Sequence, residues 1–174
     1  MSHPVEMTSW IGDNNADLRL LVTQRMIPVI QRSSVMLKDW TRIQFGGFSQ
    51  QKEAENMLYW VRRHMLYTPD PPDIEHIKWP SVMLSEIGRL GHSVGDCDDY
   101  VMLYATLVRS REIPTRIVLT AREPVLDGAG EYQFDHIYTR VRVDWQNWIT
   151  VDPSSEGAMG WETNPRYLTE DFDV

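Results

Sequence analysis

The sequence predicts an α+β fold, and three observations carry that reading. Apolar residues recur every three or four positions as far as Ser110, one of those helical runs opens on the only cysteine of 174 residues, and beyond Pro114 the period shortens to two. Helices first, a thiol-headed helix in the middle and an antiparallel sheet last is the expected order.

Taken along the chain, residues 15–40 read as a helix through Leu18, Leu21, Val22, Met26, Val29 and Ile30, with a break or kink at Pro28. Gly46 and Gly47 interrupt it, and Ser49 is placed to cap a second helix that runs to about Met65. Pro69, Pro71 and Pro72 end that helix, since proline has no N–H to give. Residues 1–68 are expected as a helical N-terminal region and 69–174 as the core, in one compact unit, because the apolar stripes of the first part need a partner surface. Residues 74–80 are ambiguous. Residues 81–90 suggest a short helix with Val82, Leu84, Ile87 and Leu90 turned inward, and the helix headed by Cys97 buries Val101, Tyr104 and Val108. Residues 115–120 and 134–143 read as strands, with a flexible loop at 127–130 between them. A tight turn at 144–147 returns the chain as a strand over 148–151, which Pro153 stops. The tail from Ser154 shows little regular structure.

Composition excludes several functions. The first 95 residues carry ten basic and ten acidic side chains, whereas residues 96–174 carry seven and fifteen, so the whole net charge of −8 falls in the later part. Such a surface repels phosphates, which argues against a nucleic-acid partner and suits a neutral or basic peptide. No apolar run approaches the roughly 20 residues that span a bilayer, and the N-terminus shows no basic-then-apolar leader. No membrane partner and a cytoplasmic location are therefore expected. One cysteine rules out an internal disulfide and any multi-cysteine zinc site. No cofactor is implied.

The chemistry centres on Gly95-Asp96-Cys97-Asp98-Asp99. A thiol in the first turn of a helix faces unpaired N–H groups and the positive end of the helix dipole, both of which favour thiolate; the alternative is a cysteine packed as a small hydrophobe. A thiol nucleophile needs a base, and the base needs a partner that orients it. His136 is the only histidine of the later part, and Asp152 ends the strand that follows. With a turn at 144–147, positions whose numbers sum to about 291 pair, so that Val143 faces Trp148 and Asp152 lies opposite Thr139, within reach of His136. Cys97, His136 and Asp152 thus form a candidate triad. Asp96 is expected as N-cap, with Asp98 and Asp99 as first-turn acids. Outward-pointing aspartates could also contact a positively charged substrate group, and any of the three could hold the thiol pKa up. They form no recognisable calcium loop, and one cysteine with one histidine is a poor zinc set, so no metal is expected.

Gly95-Asp96-Cys97-Asp98-Asp99, Arg111-Glu112-Ile113-Pro114-Thr115-Arg116, Asp135-His136-Ile137-Tyr138 and Trp148-Ile149-Thr150-Val151-Asp152-Pro153 together resemble the transglutaminase-like superfamily of the papain-like thiol fold, over about residues 74–153. The Asp-Cys-Asp-Asp form looks most similar to small members encoded by bacteriophages and prophages. The resemblance implies a nucleophile helix packed on an antiparallel sheet, and attack by Cys97 on an amide of a peptide or protein. His136 would act as base and Asp152 would orient it. It also implies an acyl-thioester resolved by water or by an amine. The Cys97 N–H would serve the oxyanion, with the Trp79 indole as a possible second donor. The competing expectation is a docking module of a virion or other assembly, with protein partners met through aromatics such as Trp145, Trp148 and Trp161.

Overall fold

The computed structural model describes residues 9–13, 17–71, 74–126, 130–143, 147–164 and 166–174. The turn expected at Asp144, Trp145 and Gln146, most of the loop at 127–130 and the helix start at Asn15 lie outside the described residues. The mixed helix-and-sheet architecture is the one expected: a four-stranded antiparallel sheet lies on one side of a central helix and a layer of helices on the other.

The central helix, α5 (Cys97–Ser110), is buried at every position except Cys97 and Arg109. A single inward stripe through Val101, Tyr104 and Val108 was expected. The run Tyr100-Val101-Met102-Leu103-Tyr104-Ala105 is instead apolar all round, because the helix is covered on both sides. Truncating a fully buried side chain such as Leu103 to Ala costs about 2–5 kcal/mol in such a setting. Preceding elements pin α5 through its few polar atoms. Helix α2 (Ile27–Phe45) lies along it and places the Thr41 hydroxyl 2.7 Å from that of Ser110. Helix α3 (Gln50–His64) puts Glu53 3.0 Å from Arg111 and accepts the Tyr104 hydroxyl at the Ala54 carbonyl, 3.3 Å away.

Ser49 caps α3 as its sequence suggests, accepting the Lys52 N–H. Ahead of α2, the short α1 (Leu18–Leu21) widens into a π-helical turn at Val22–Met26. The expected break thus falls before Pro28, where the missing N–H and the ring both oppose a regular α turn. Helix α4 (Pro80–Leu90) buries Met83 while Leu90 is exposed. Of the expected stripe, Leu84 and Ile87 pack on the core, while the inward face centres on Met83 and leaves Leu90 out. It ends on Gly91 at φ +83°, a left-handed conformation that glycine adopts without strain.

Two small pairings join the start of the chain to the thiol. Strand β1 (Ser9–Asp13) pairs antiparallel with β3 (Ile74–Lys78), which settles the ambiguous segment as a strand. Strand β2 (Met65–Tyr67) runs parallel to β4 (Ser93–Gly95), setting Tyr67 opposite Gly95, two residues before Cys97.

The main sheet has the order β7-β6-β5-β8, formed by β5 (Thr115–Ala121), β6 (His136–Arg142), β7 (Trp148–Val151) and β8 (Leu168–Asp173). Two corrections follow. The tail does form a strand, β8, paired antiparallel with β5. The β6–β7 register is also one residue from that expected: Thr139 pairs with Val151 and Arg142 with Trp148, so paired numbers sum to 290. Because side chains alternate across a strand, an odd sum would have put His136 and Asp152 on opposite faces. The even sum puts them on the same one.

Candidate active site

The site is assembled where the N-terminus of α5 meets the start of β6. Asp96 has extended backbone angles, and its side chain accepts the Asp98 N–H at 3.3 Å, which makes it the N-cap. Gly95 is required by closeness of approach: a Cβ there would lie 2.1 Å from Asp99 Oδ2. Asp99 is buried and accepts the Lys78 N–H of β3 at 2.7 Å, so it anchors a strand rather than facing solvent as a first-turn charge. Asp70 accepts the His76 N–H in the same way. Burial pushes the Asp99 carboxyl up to about 8, even though the Lys78 N–H and ammonium favour its anion.

Across from the helix, His136 Nε2 lies 2.7 Å from Asp152 Oδ2, and both side chains are buried. This contact leaves Nδ1 for proton exchange with a reacting group. Burial pushes the Asp152 carboxyl up, but the bonds from His136 and from the Ser154 hydroxyl and N–H outweigh it and hold the pKa below its usual range. Arg62 of α3 fixes the loop behind: its guanidinium donates to the carbonyls of Asp152 (2.8 Å), Gly157 (2.7 Å) and Pro153 (3.4 Å). On the approach to β6, Arg122 clamps Asp135 through its backbone N–H (3.0 Å) and its side chain (3.1 Å).

Cys97 is half-buried between these groups, with the Ile137 backbone N–H directed at its sulfur. Desolvation pushes the thiol up to about 12, Asp96 adds to the rise, and the Ile137 N–H only partly offsets it. The resting thiol is therefore protonated at neutral pH. Of the two outcomes the sequence left open for the flanking aspartates, Asp96 shows both: it caps the helix and it opposes thiolate.

Two cavities, of about 250 and 230 Å3, meet at Cys97 and His136. The first runs from Glu75, Asp96 and Asp98 to an apolar wall that includes Leu21, Met26 and Phe134. The second holds Arg122, Asp152, Ser154 and Trp161. Tyr67 lines both. Trp79 lines neither of these two cavities; its side chain packs on the hydrophobic core and its backbone starts α4. Sequence reasoning missed Tyr67, Glu75 and Arg62, which come from elements before the motif. The three prolines after Tyr67 were the available signal that the chain turns back toward the thiol there.

Ligand atoms of Asp70, Glu75 and Asp96 lie within 4.8 Å of one another, as do those of Asp96, Asp98 and Asp99. These are all carboxylates. Neither Cys97 nor His136 belongs to such a group among the described residues.

Comparison with known proteins bears on this geometry. The chain can be superposed on the structure named "Putative Cysteine Protease from Cytophaga hutchinsonii" with a TM-score of 0.52 and 16% identity, over 93% of this chain and 54% of that one. The periplasmic domain of TgpA from Pseudomonas aeruginosa, solved with ethylmercury, aligns with a TM-score of 0.45 and 22% identity over 71% of this chain and 44% of that one. The chain spans about half the length of these solved structures. No curated protein matches it. The family profile described as "Transglutaminase-like superfamily" matches residues 42–153, starting in α2 and ending just past Asp152. The match takes in Tyr67, Cys97 and His136 as well, and the chain belongs to the transglutaminase-like superfamily.

Proposed function

We propose that this chain is a cysteine-dependent acyl hydrolase or acyltransferase acting on amide bonds of peptides or proteins, with Cys97 as nucleophile, His136 as general base and Asp152 as its orienter. The transglutaminase-like fold supports thiol-based hydrolysis or transfer in general. The observation that carries the specific reading is the 2.7 Å His136–Asp152 bond on the sheet face beside Cys97. Asp152 holds Nε2 and stabilises the imidazolium, while Nδ1 takes the thiol proton as sulfur attacks the carbonyl carbon. Burial and Asp96 favour the protonated thiol, so Nδ1 receives its proton as attack proceeds. The oxyanion meets the Cys97 N–H at the helix start, with the Tyr67 hydroxyl as the side-chain donor. The imidazolium then protonates the leaving amine, and water or a second amine releases the acyl group from sulfur.

Incubation with peptide pools followed by intact-mass measurement tests this. A covalent acyl adduct on Cys97 that is lost in His136→Ala is the expected result; unmodified protein across the pools would sink the proposal. The raised thiol pKa favours a second reading, a docking module that keeps the motif idle. Its expected signature is unchanged stability and assembly in Cys97→Ala with no activity to lose. Trp148, one of the aromatics that reading relied on, is already engaged: Arg116 and Arg142 lie 4.2 and 5.3 Å from its ring centre.

A further inference from the structure

We infer that the cavity on the Asp96 side of Cys97 binds a primary ammonium group on an aliphatic stem, carried by the acyl substrate and used as a recognition handle. The inference rests on the acyl-transfer reading above and names the substrate class for that site. Five carboxyls crowd the helix start, but Asp99 and Asp70 are already committed to backbone N–H groups of β3. Glu75, Asp96 and Asp98 all line the cavity that contains Cys97, with one Asp96 oxygen given to the Asp98 N–H as helix cap. Asp98 is only 4% exposed, no amide, hydroxyl or cation donates to its oxygens among the described residues, and its side-chain hydrogen bonds run only to the carboxyls of Glu75 and Asp96. A buried carboxyl without a donor costs free energy that a bound cation would recover.

The shape of the cavity selects the cation. Three carboxyls match the three N–H donors of an ammonium, and this trio is not one of the metal-spaced groups among the described residues, which are Asp70-Glu75-Asp96 and Asp96-Asp98-Asp99. An apolar wall of Leu21, Met26 and Phe134 adjoins the acids; it suits a methylene stem and offers a metal ion nothing. The same geometry excludes the group as acyl acceptor. An ammonium held among carboxylates keeps its proton and has no lone pair with which to attack a thioester. Its positive charge beside Asp96 also offsets one of the influences that keep Cys97 protonated, so the correct substrate would help to activate the thiol that it meets.

Binding of n-pentylamine and of 1-pentanol to the native chain, followed by NMR shift titration without any acyl donor, tests the inference apart from catalysis. The amine is expected to bind at least about tenfold more tightly than the alcohol, a difference of about 1.4 kcal/mol by the standard conversion. Its shifts should centre on β3 and the start of α5, and Glu75→Gln should remove most of the preference. Asp96→Asn keeps a capping side chain and gives a second reading if Glu75→Gln folds poorly. Equal affinity for amine and alcohol would overturn the inference. So would stoichiometric calcium binding at these residues that leaves no amine preference, which would make the cluster a metal site. Amine binding with no acyl adduct on Cys97 would instead count against the acyl-transfer reading alone.

Discussion

The two sides of Cys97 treat charge in opposite ways. On the His136 side each acid meets a donor or an opposite charge: Asp152 has His136 and Ser154, and Asp135 has Arg122. On the Asp96 side acids face acids. Asp98 has no donor, its pKa is pushed well above the usual range by burial and by Asp96 and Glu75, and Glu75 is itself raised by burial. One half of the site thus has its acids paired with donors, and the other sets acid against acid.

The largest expected effect breaks the paired half. His136→Ala should lower single-turnover acylation of Cys97 by about a thousandfold or more, since a lost base is not replaced by its neighbours. Asp152→Asn keeps the shape but stops holding the histidine in its working tautomer, and a loss of about a hundredfold to ten-thousandfold is expected. Acyl-enzyme formation timed by mass measurement reads both. Equal rates in Asp152→Asn and the native chain would show that the 2.7 Å contact does not orient the base.

Next in size is the support behind Asp152. Arg62→Ala removes a donor shared by three carbonyls; that of Asp152 keeps Ser155, and the loss of such a buried donor costs about 1–3 kcal/mol. Urea unfolding is expected to show a lower midpoint at unchanged slope. Acylation should fall as well, because the Asp152 loop loses its tether to α3. A stability loss with full acylation would show that His136 and Ser154 are enough to hold Asp152.

The two halves also differ in how much of them the sequence disclosed. Cys97, His136 and Asp152 were legible because each sits at the end of an element with a strong pattern of its own, and strand alternation links the latter two. Even so, a one-residue error in register would have put them on opposite sheet faces, since an unmarked turn length decides the pairing. The acid side was legible only as a row of aspartates. That Asp99 serves a strand, that Asp98 is buried without a donor and that Glu75 joins it depends on β3 packing against the helix start, which no local pattern encodes. Strand β8 was missed for a related reason. Its sequence Leu-Thr-Glu-Asp-Phe-Asp reads as a solvated acidic tail until Arg19, Arg140 and Arg116 are seen beside Glu170, Asp171 and Asp173. Trp79 was a candidate by spacing alone, and spacing does not tell a core tryptophan from one at a thiol.

A smaller effect contrasts the halves through pH. Asp99, with a folded pKa of about 8, and Asp98, raised in the same direction, bind protons in the folded state that the unfolded chain has already released. Their contribution to stability is complete below the ordinary carboxyl pKa and is lost as pH rises toward 8. Asp152, with a lowered pKa, acts the other way: its contribution is present above the ordinary value and is lost as acid protonates it. Melting temperature is therefore expected to fall by several degrees between pH 5.5 and 8.5, and to fall again in strong acid. A flat profile between pH 5.5 and 8.5 would mean that the acids at the helix start already have a counter-charge in solution.

Asp98→Asn isolates the unsatisfied half with the least disturbance. The amide has nearly the shape of the protonated acid but cannot ionise, so the fall in stability with rising pH should become shallower. At the acid end of the profile, where the native acid holds its proton, the variant and the native chain should melt within a degree or two of each other. The sign at pH 8 is what decides. A variant less stable there than the native chain would mean that the Asp98 carboxylate is held by a donor or cation in the folded protein, and the contrast between the two sides of Cys97 would no longer stand.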